Sequence, residues 1–201
     1  MSTDRFDRAA IIAAFNRHSV DYVVIGGFAA ELHSAPVEMT RDIDFTPAIT
    51  MANLARISAA LDELAARIRT ATEAAGFAFS DDAASLGRSR VWNLTCTHGE
   101  FDLSFVPSGT DGYDDLVRQA LRVAIPGVGE IAVASLADVI RSKRAAGRQK
   151  DLQALPASQR RLPARGHQSP AHELGELAQR TAERFGLHGP TAGSSNMEGG
   201  A

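Results

Sequence analysis

Residues 21–45 read DYVVIGGFAAELHSAPVEMTRDIDF, and the order of elements in this stretch decides the architecture. Asp21 to Ile25 is a short apolar run of strand character, Gly26-Gly27 is a turn, and Phe28 to His33 predicts a helix. A polar stretch runs through Pro36; Asp42 to Phe45 then predicts a second strand, which Pro47 closes. Side chains alternate along a strand, so Asp42 and Asp44 share one face, about 7 Å apart, while Ile43 and Phe45 share the other. A Gly-Gly pair between strand and helix lets backbone amides approach an anion, and the helix start adds positive potential. A plain tight turn accounts for the pair equally well.

Outward from this stretch, residues 4–18 predict a helix, with Ile11, Ile12 and Phe15 at helical spacing and Asn16 to Ser19 breaking it. Residues 51–69 carry Leu54, Ile57, Leu61, Leu64 and Ile68 on one helical face, with Thr50 as the cap. Val91 to Thr97 and Glu100 to Val106 predict a hairpin turning at His98-Gly99. On its second strand Phe101, Leu103 and Phe105 form an apolar face and leave Asp102 and Ser104 opposite. After a loop around Gly109 to Gly112, Ile131 to Val133 predicts a further strand, and Ser135 caps a helix reaching about Ala146, with Asp138 completing a capping-box pattern. From Pro156 the composition turns to Pro, Gly, Ser, Gln and Arg, with one further helix expected over residues 172–185. The expected division is a domain over 1–155 and a polar tail over 156–201.

The chain has 201 residues, 44% hydrophobic and 22% charged, enough for one compact core. Its single cysteine, Cys96, lies in an apolar strand-like run and excludes a disulfide framework or a Cys-rich metal site. The longest apolar runs, such as Val20 to Ala30, are far shorter than a membrane span, and the acidic start resembles no signal peptide. A cytoplasmic location without membrane contact is therefore expected. Charge divides along the chain: residues 1–115 hold 9 Lys/Arg against 17 Asp/Glu, a net −8, and residues 116–165 hold 10 against 3, a net +7. An acidic part followed by a basic part suits a protein that holds metal ions beside a polyanion, although charged faces that simply meet water give the same balance.

Asp42, Asp44 and Asp102 form three carboxylates that two strands could bring together. Clustered carboxylates repel one another unless a cation lies between them. Magnesium is the natural occupant, since it takes oxygen ligands and is commonly bound by one or two carboxylates plus substrate phosphates. Two such ions about 4 Å apart can activate an attacking hydroxyl and stabilise a leaving pyrophosphate. Taken alone, Asp-Ile-Asp also fits a strand end with exposed acids. His33 and His98 lack spaced partners and are set aside as ligands or bases, and Trp92, alternating with Leu94 and Cys96, is expected in the core. Arg41 suits either a triphosphate contact or a salt bridge to a neighbouring acid, and Ser85 to Arg90 is a weaker phosphate-contacting loop.

Ile25-Gly26-Gly27, Asp42-Ile43-Asp44-Phe45 and Phe101-Asp102-Leu103 together resemble the three-part signature of the polymerase-beta-like nucleotidyltransferases. More narrowly, over about residues 18–155, the chain resembles the AbiEii/MenT-like toxins of bacterial toxin-antitoxin systems, in which a Ser or Thr often lies two places before the first Asp, as Thr40 does. The resemblance implies an α+β fold, a mixed β-sheet flanked by helices. It also implies a later Lys and Asp, here Lys143 and Asp151. Lys143 lies in a basic cluster with Arg141, Arg144, Arg148 and Lys150, where it would pair with nucleotide phosphates; a solvated helix end explains the cluster as well.

The activity so implied is transfer of a nucleoside monophosphate from a nucleoside triphosphate to an acceptor hydroxyl, with pyrophosphate released. Asp42 and Asp44 would bind two Mg2+ ions, or Mn2+, and Asp102 would complete the catalytic metal's shell and orient the acceptor. Gly26, Gly27, Thr40 and Arg41 would hold the triphosphate, Lys143 would offset its charge, and Asp151 would hold that lysine or the ribose. The closer resemblance implies transfer to the 3′ end of tRNA by a toxin that a cognate antitoxin checks, and the basic segment is compatible with RNA. A protein or small-molecule acceptor such as an aminoglycoside, and a catalytically silent nucleotide-binding module, are the alternatives.

Overall fold

The computed structural model describes residues 6–33, 40–73, 75–125 and 127–147, together with Gln179. Asp151 and the expected tail helix over 172–185, Gln179 apart, lie outside the described residues, as do Arg148 and Lys150. The elements follow in the order α1 (Arg8–Arg17), β1 (Tyr22–Ile25), α2 (Gly26–His33), β2 (Asp42–Pro47), α3 (Met51–Glu63), β3 (Arg67–Ile68), α4 (Ala83–Leu86), β4 (Val91–Cys96), β5 (Gly99–Ser104), α5 (Tyr113–Leu116), β6 (Leu121–Ile125), β7 (Gly129–Val133) and α6 (Leu136–Ala146). The strands form one seven-stranded sheet in the order β3-β4-β5-β2-β1-β7-β6. It is mixed: β1 runs antiparallel to β2 and parallel to β7, and β2 runs parallel to β5. The architecture is thus α+β, a mixed sheet with helices packed on it, as expected.

Alternation on the central strands builds the core. Ile43, Phe45, Phe101 and Leu103 are fully buried on one face of β2 and β5. Phe15 of α1 stacks on Phe45 at 4.6 Å between centroids and meets Phe101 edge-on at 6.0 Å, and Tyr22 closes against Phe45 at 5.2 Å. Burial accordingly pushes the Tyr22 hydroxyl pKa upward. Charged residues on the opposite face of β2 and β5 escape this core entirely.

Several boundaries differ from the sequence reading. The expected helix over 51–69 stops at Glu63, because Ala65 adopts a left-handed conformation (φ 47°) and Ala65 and Ala66 donate back to Asp62 and Leu61, a Schellman closure. Ile68, placed on the helical face by its spacing, instead pairs with Leu94 on β4 as part of edge strand β3. The hairpin turns at Thr97-His98, since Cys96 pairs with Gly99 and Gly99 opens β5. Gly26 and Gly27 form the first turn of α2 rather than preceding it, and β2 extends through Pro47. Strands β3 and β6 and the short helices α4 and α5 escaped notice. The capping of α6 is as read: Ser135 accepts from the amide of Asp138 at 3.2 Å and its hydroxyl donates to the Asp138 carboxylate at 2.7 Å.

A side chain in the left-handed region costs more than a glycine there. Ala65→Gly should therefore stabilise the fold by about 0.5–1 kcal/mol after the glycine's extra chain entropy is subtracted. Thermal unfolding followed by circular dichroism checks this, and a lowered midpoint would contradict the assigned α3 terminus.

Candidate active site

The site is assembled by register. On β2, Asp44 has Ile25 of β1 as its neighbour on one side and Asp102 of β5 as its neighbour on the other. Asp42 pairs with Glu100 two residues earlier, so β2 and β5 present Asp42, Asp44, Glu100 and Asp102 as an acidic row on the face opposite Phe45 and Phe101. Adjacent strands lie about 4.8 Å apart, which sets the spacing of the Asp44 and Asp102 backbones. All four acids are partly exposed, at the edge of the core rather than within it.

Strand β1 delivers the glycine turn directly beside these acids. Ile25 is the register partner of Asp44, and Gly26 follows it with φ 73°, a conformation that favours glycine. A Cβ built on Gly26 would lie 1.9 Å from Asp44 Oδ2 and 2.6 Å from its Cγ; a Cβ on Gly27 would lie 2.9 Å from Thr40 Oγ1. The two glycines are therefore the space into which Asp44 and Thr40 fit. Thr40 Oγ1 in turn donates to Asp42 Oδ1 at 2.6 Å. The register and these contacts bring together Gly26, Gly27, Thr40, Asp42, Asp44 and Asp102.

One cation of the chain already faces the acids. Arg69, just past β3, spans to β5, where it pairs with Glu100 and donates from Nη2 to Asp102 Oδ1 at 2.7 Å. Asn93, the register partner of Asp102 on β4, faces both Asp102 oxygens with its amide, and with the amide nitrogen turned toward them it donates at 3.2 and 3.3 Å. Partial burial works against the Arg69 charge, but its hydrogen bond with Glu100 and the attraction of Asp102, Glu100 and Asp42 outweigh that, so its pKa is raised. With Asp102 committed to Arg69, the acids are not gathered about a common point: no group of three His, Cys, Asp or Glu side chains among the described residues is placed to hold a metal ion. Arg69 carries no local signal of this role in the sequence, where it stands only as an arginine following the helical spacing that ends on Ile68.

The remaining residues are placed as follows. Lys143 is half-buried near the end of α6, a helix that packs against α2, the glycine-turn helix. Arg41 is exposed and has no ion pair among the described residues, which do not include the neighbouring Glu38. Arg141 is bound by Asp115 at 2.7 Å and Asp138 at 2.8 Å, and Arg122 by Glu130 at 3.0 Å, so part of the basic surplus is neutralised locally. His33 is buried and hydrogen-bonded to the Ala134 carbonyl at 2.8 Å, and His98 stands at the hairpin turn. Trp92 packs on Phe79 at 5.2 Å and donates to the Leu86 carbonyl. Within Ser85 to Arg90, Ser85 belongs to α4 and donates to its cap, Asp82. No helix among the described residues is long and apolar enough to cross a membrane.

No known family model matches the chain, and no curated protein matches it in sequence. Solved structures similar to it include two of one protein. One is the solution structure of antibiotic-resistance factor ANT(2'')-Ia, 15% identical with a TM-score of 0.48, the match covering 88% of this chain and 90% of that one. The other is the crystal structure of ANT(2'')-Ia in complex with adenylyl-2''-tobramycin, 14% identical with a TM-score of 0.46, covering 88% of this chain and 95% of that one.

Proposed function

We propose that the protein is a nucleotidyltransferase that moves a nucleoside monophosphate from a nucleoside triphosphate to an acceptor hydroxyl. The observation that carries this reading is the register Ile25–Asp44–Asp102, which sets the glycine turn and two carboxylates side by side on three neighbouring strands. The donors are all carboxylate oxygens, the set that suits Mg2+ or Mn2+. Asp42 and Asp44 would hold the cation, and Asp102 would join them on leaving Arg69. A bound divalent ion supplies positive charge to the phosphates and acidifies the attacking hydroxyl.

The chain's own residues do the rest. The first amides of α2, at Gly26 and Gly27, offer donors and positive helix potential to the triphosphate. Asp102 orients the acceptor hydroxyl, and Arg69, once released from it, presents a guanidinium to phosphate oxygens. Thr40 holds Asp42 in place, and Lys143, on the helix packed against α2, offsets phosphate charge. Asp151 steadies that lysine or the ribose, and Arg41, exposed beside Asp42, meets the triphosphate. The acceptor in this reading is the 3′ end of tRNA and the protein a toxin held in check by an antitoxin, which the Lys143 and Arg144 charges at the end of α6 support.

A second reading, a nucleotide-binding module without catalysis, is favoured by the engagement of Asp102 with Arg69. Incubation of the full chain with labelled nucleoside triphosphates and Mg2+, and with purified tRNA, total protein or an aminoglycoside as acceptor, separates the readings. Label is expected on the tRNA 3′ end and absent with Asp42→Ala. Label on protein or drug alone would move the acceptor, and no transfer to any of them would leave the binding module.

A further inference from the structure

Beside Thr40 lies a buried ion pair that none of the proposed chemistry uses. Arg8, in the first turn of α1, and Glu31, near the end of α2, are 6% and 1% exposed and stand 3.6 Å apart. Arg8 also lies over the rings of Phe6 and Phe28, at 4.8 and 4.9 Å from their centroids. Burying two charges is costly, and an apolar pair of the same volume often serves stability as well or better. What the pair does besides is specific: both charged groups reach one residue. Arg8 Nη2 donates to the carbonyl of Thr40, and the amide of Thr40 donates to Glu31 Oε1.

Thr40 stands two residues before β2 pairs with β5, so no register partner fixes its peptide groups. The ion pair takes that part instead, gripping the residue from both sides of its backbone. The hydroxyl so held donates to Asp42 Oδ1 at 2.6 Å, and Gly27 leaves the gap into which the threonine side chain fits. A continuous line of contacts thus runs from α1 and α2 through Thr40 to the carboxylate of Asp42. We propose that Arg8 and Glu31 are positioning residues that set the orientation of the Asp42 carboxylate for cation binding. The inference rests on the reading of Asp42 as a metal ligand given above.

The test is Mn2+ affinity of the full chain, followed by electron paramagnetic resonance, which requires no turnover. The paired variant Arg8→Met/Glu31→Gln leaves no lone buried charge and should keep the parent's circular dichroism and melting behaviour. Its Mn2+ dissociation constant is expected to rise about 10- to 100-fold, the usual cost of removing support behind a metal ligand. Thr40→Val should weaken binding similarly, and Thr40→Ser, which keeps the hydroxyl, should restore it. Parental affinity in the paired variant would overturn the positioning role; should that variant fail to fold, parental affinity in Thr40→Val would do the same. Equal Mn2+ binding by the parent and Asp42→Ala would instead overturn the metal-site reading, and this inference with it.

Discussion

Asp44→Asn is expected to keep the fold intact while reducing both Mn2+ binding and nucleotidyl transfer by at least about 100-fold. The lower bound follows from the 10- to 100-fold cost typical of residues that merely support a metal ligand, which a ligand itself should exceed. Asparagine matches aspartate in shape, so the packing beside Gly26 is retained. Its neutrality also removes the like-charge repulsion between register neighbours Asp44 and Asp102. The melting temperature should therefore hold or rise as activity disappears. A structural acid behaves in the opposite way, losing stability with function largely spared. Transfer within tenfold of the parent, measured with the same labelled triphosphate, would remove Asp44 from the mechanism.

Gly26→Ala is expected to damage stability and function together. At φ 73° an alanine costs about 1–2 kcal/mol in backbone terms. Its methyl would fall 1.9 Å from Asp44 Oδ2, so the carboxylate must swing away or the α2 start must shift, at a further cost of about 1–3 kcal/mol. Together these correspond to a fall of roughly 5–15 °C in melting temperature for a chain of this size. Gly127→Ala separates the two contributions: Gly127 has nearly the same φ, 75°, with no atom of the described residues within 4 Å of its would-be Cβ. That variant should show the backbone cost alone, with transfer unaffected. Equal melting temperatures and equal activities for the two variants would mean that Gly26 is an ordinary turn glycine.

Much of the central sheet was legible because local pattern and tertiary role agree there. On β2 and β5 the alternation of Ile43, Phe45, Phe101 and Leu103 with acids forces those acids to one face, wherever the strands pair. Register is different in kind: that Asp44 meets Asp102, with Ile25 on its other side, depends on pairings between segments far apart in the chain, which periodicity does not encode. Arg69 shows the same limit. The helical spacing that ends on Ile68 extended naturally through it, and only the left-handed turn at Ala65, a conformation no alanine advertises, diverts the chain into an edge strand. The Arg8–Glu31 pair was invisible for a further reason, since charged residues on amphipathic helices are ordinarily solvated and nothing local marks these two as buried. Strand β6 was masked by Arg122, which its position at the sheet edge leaves free to reach Glu130 on β7.

The reach of Arg69 from the edge of the sheet to the acids of β5 gives the molecule an internal counter-ion. Strands that would otherwise bring like charges together can therefore close with their charge balanced from within the chain. Under the proposed metal-binding role, loading would be an exchange of one positive partner for another rather than the filling of a void, and the strength of the guanidinium grip would set how much free cation it takes.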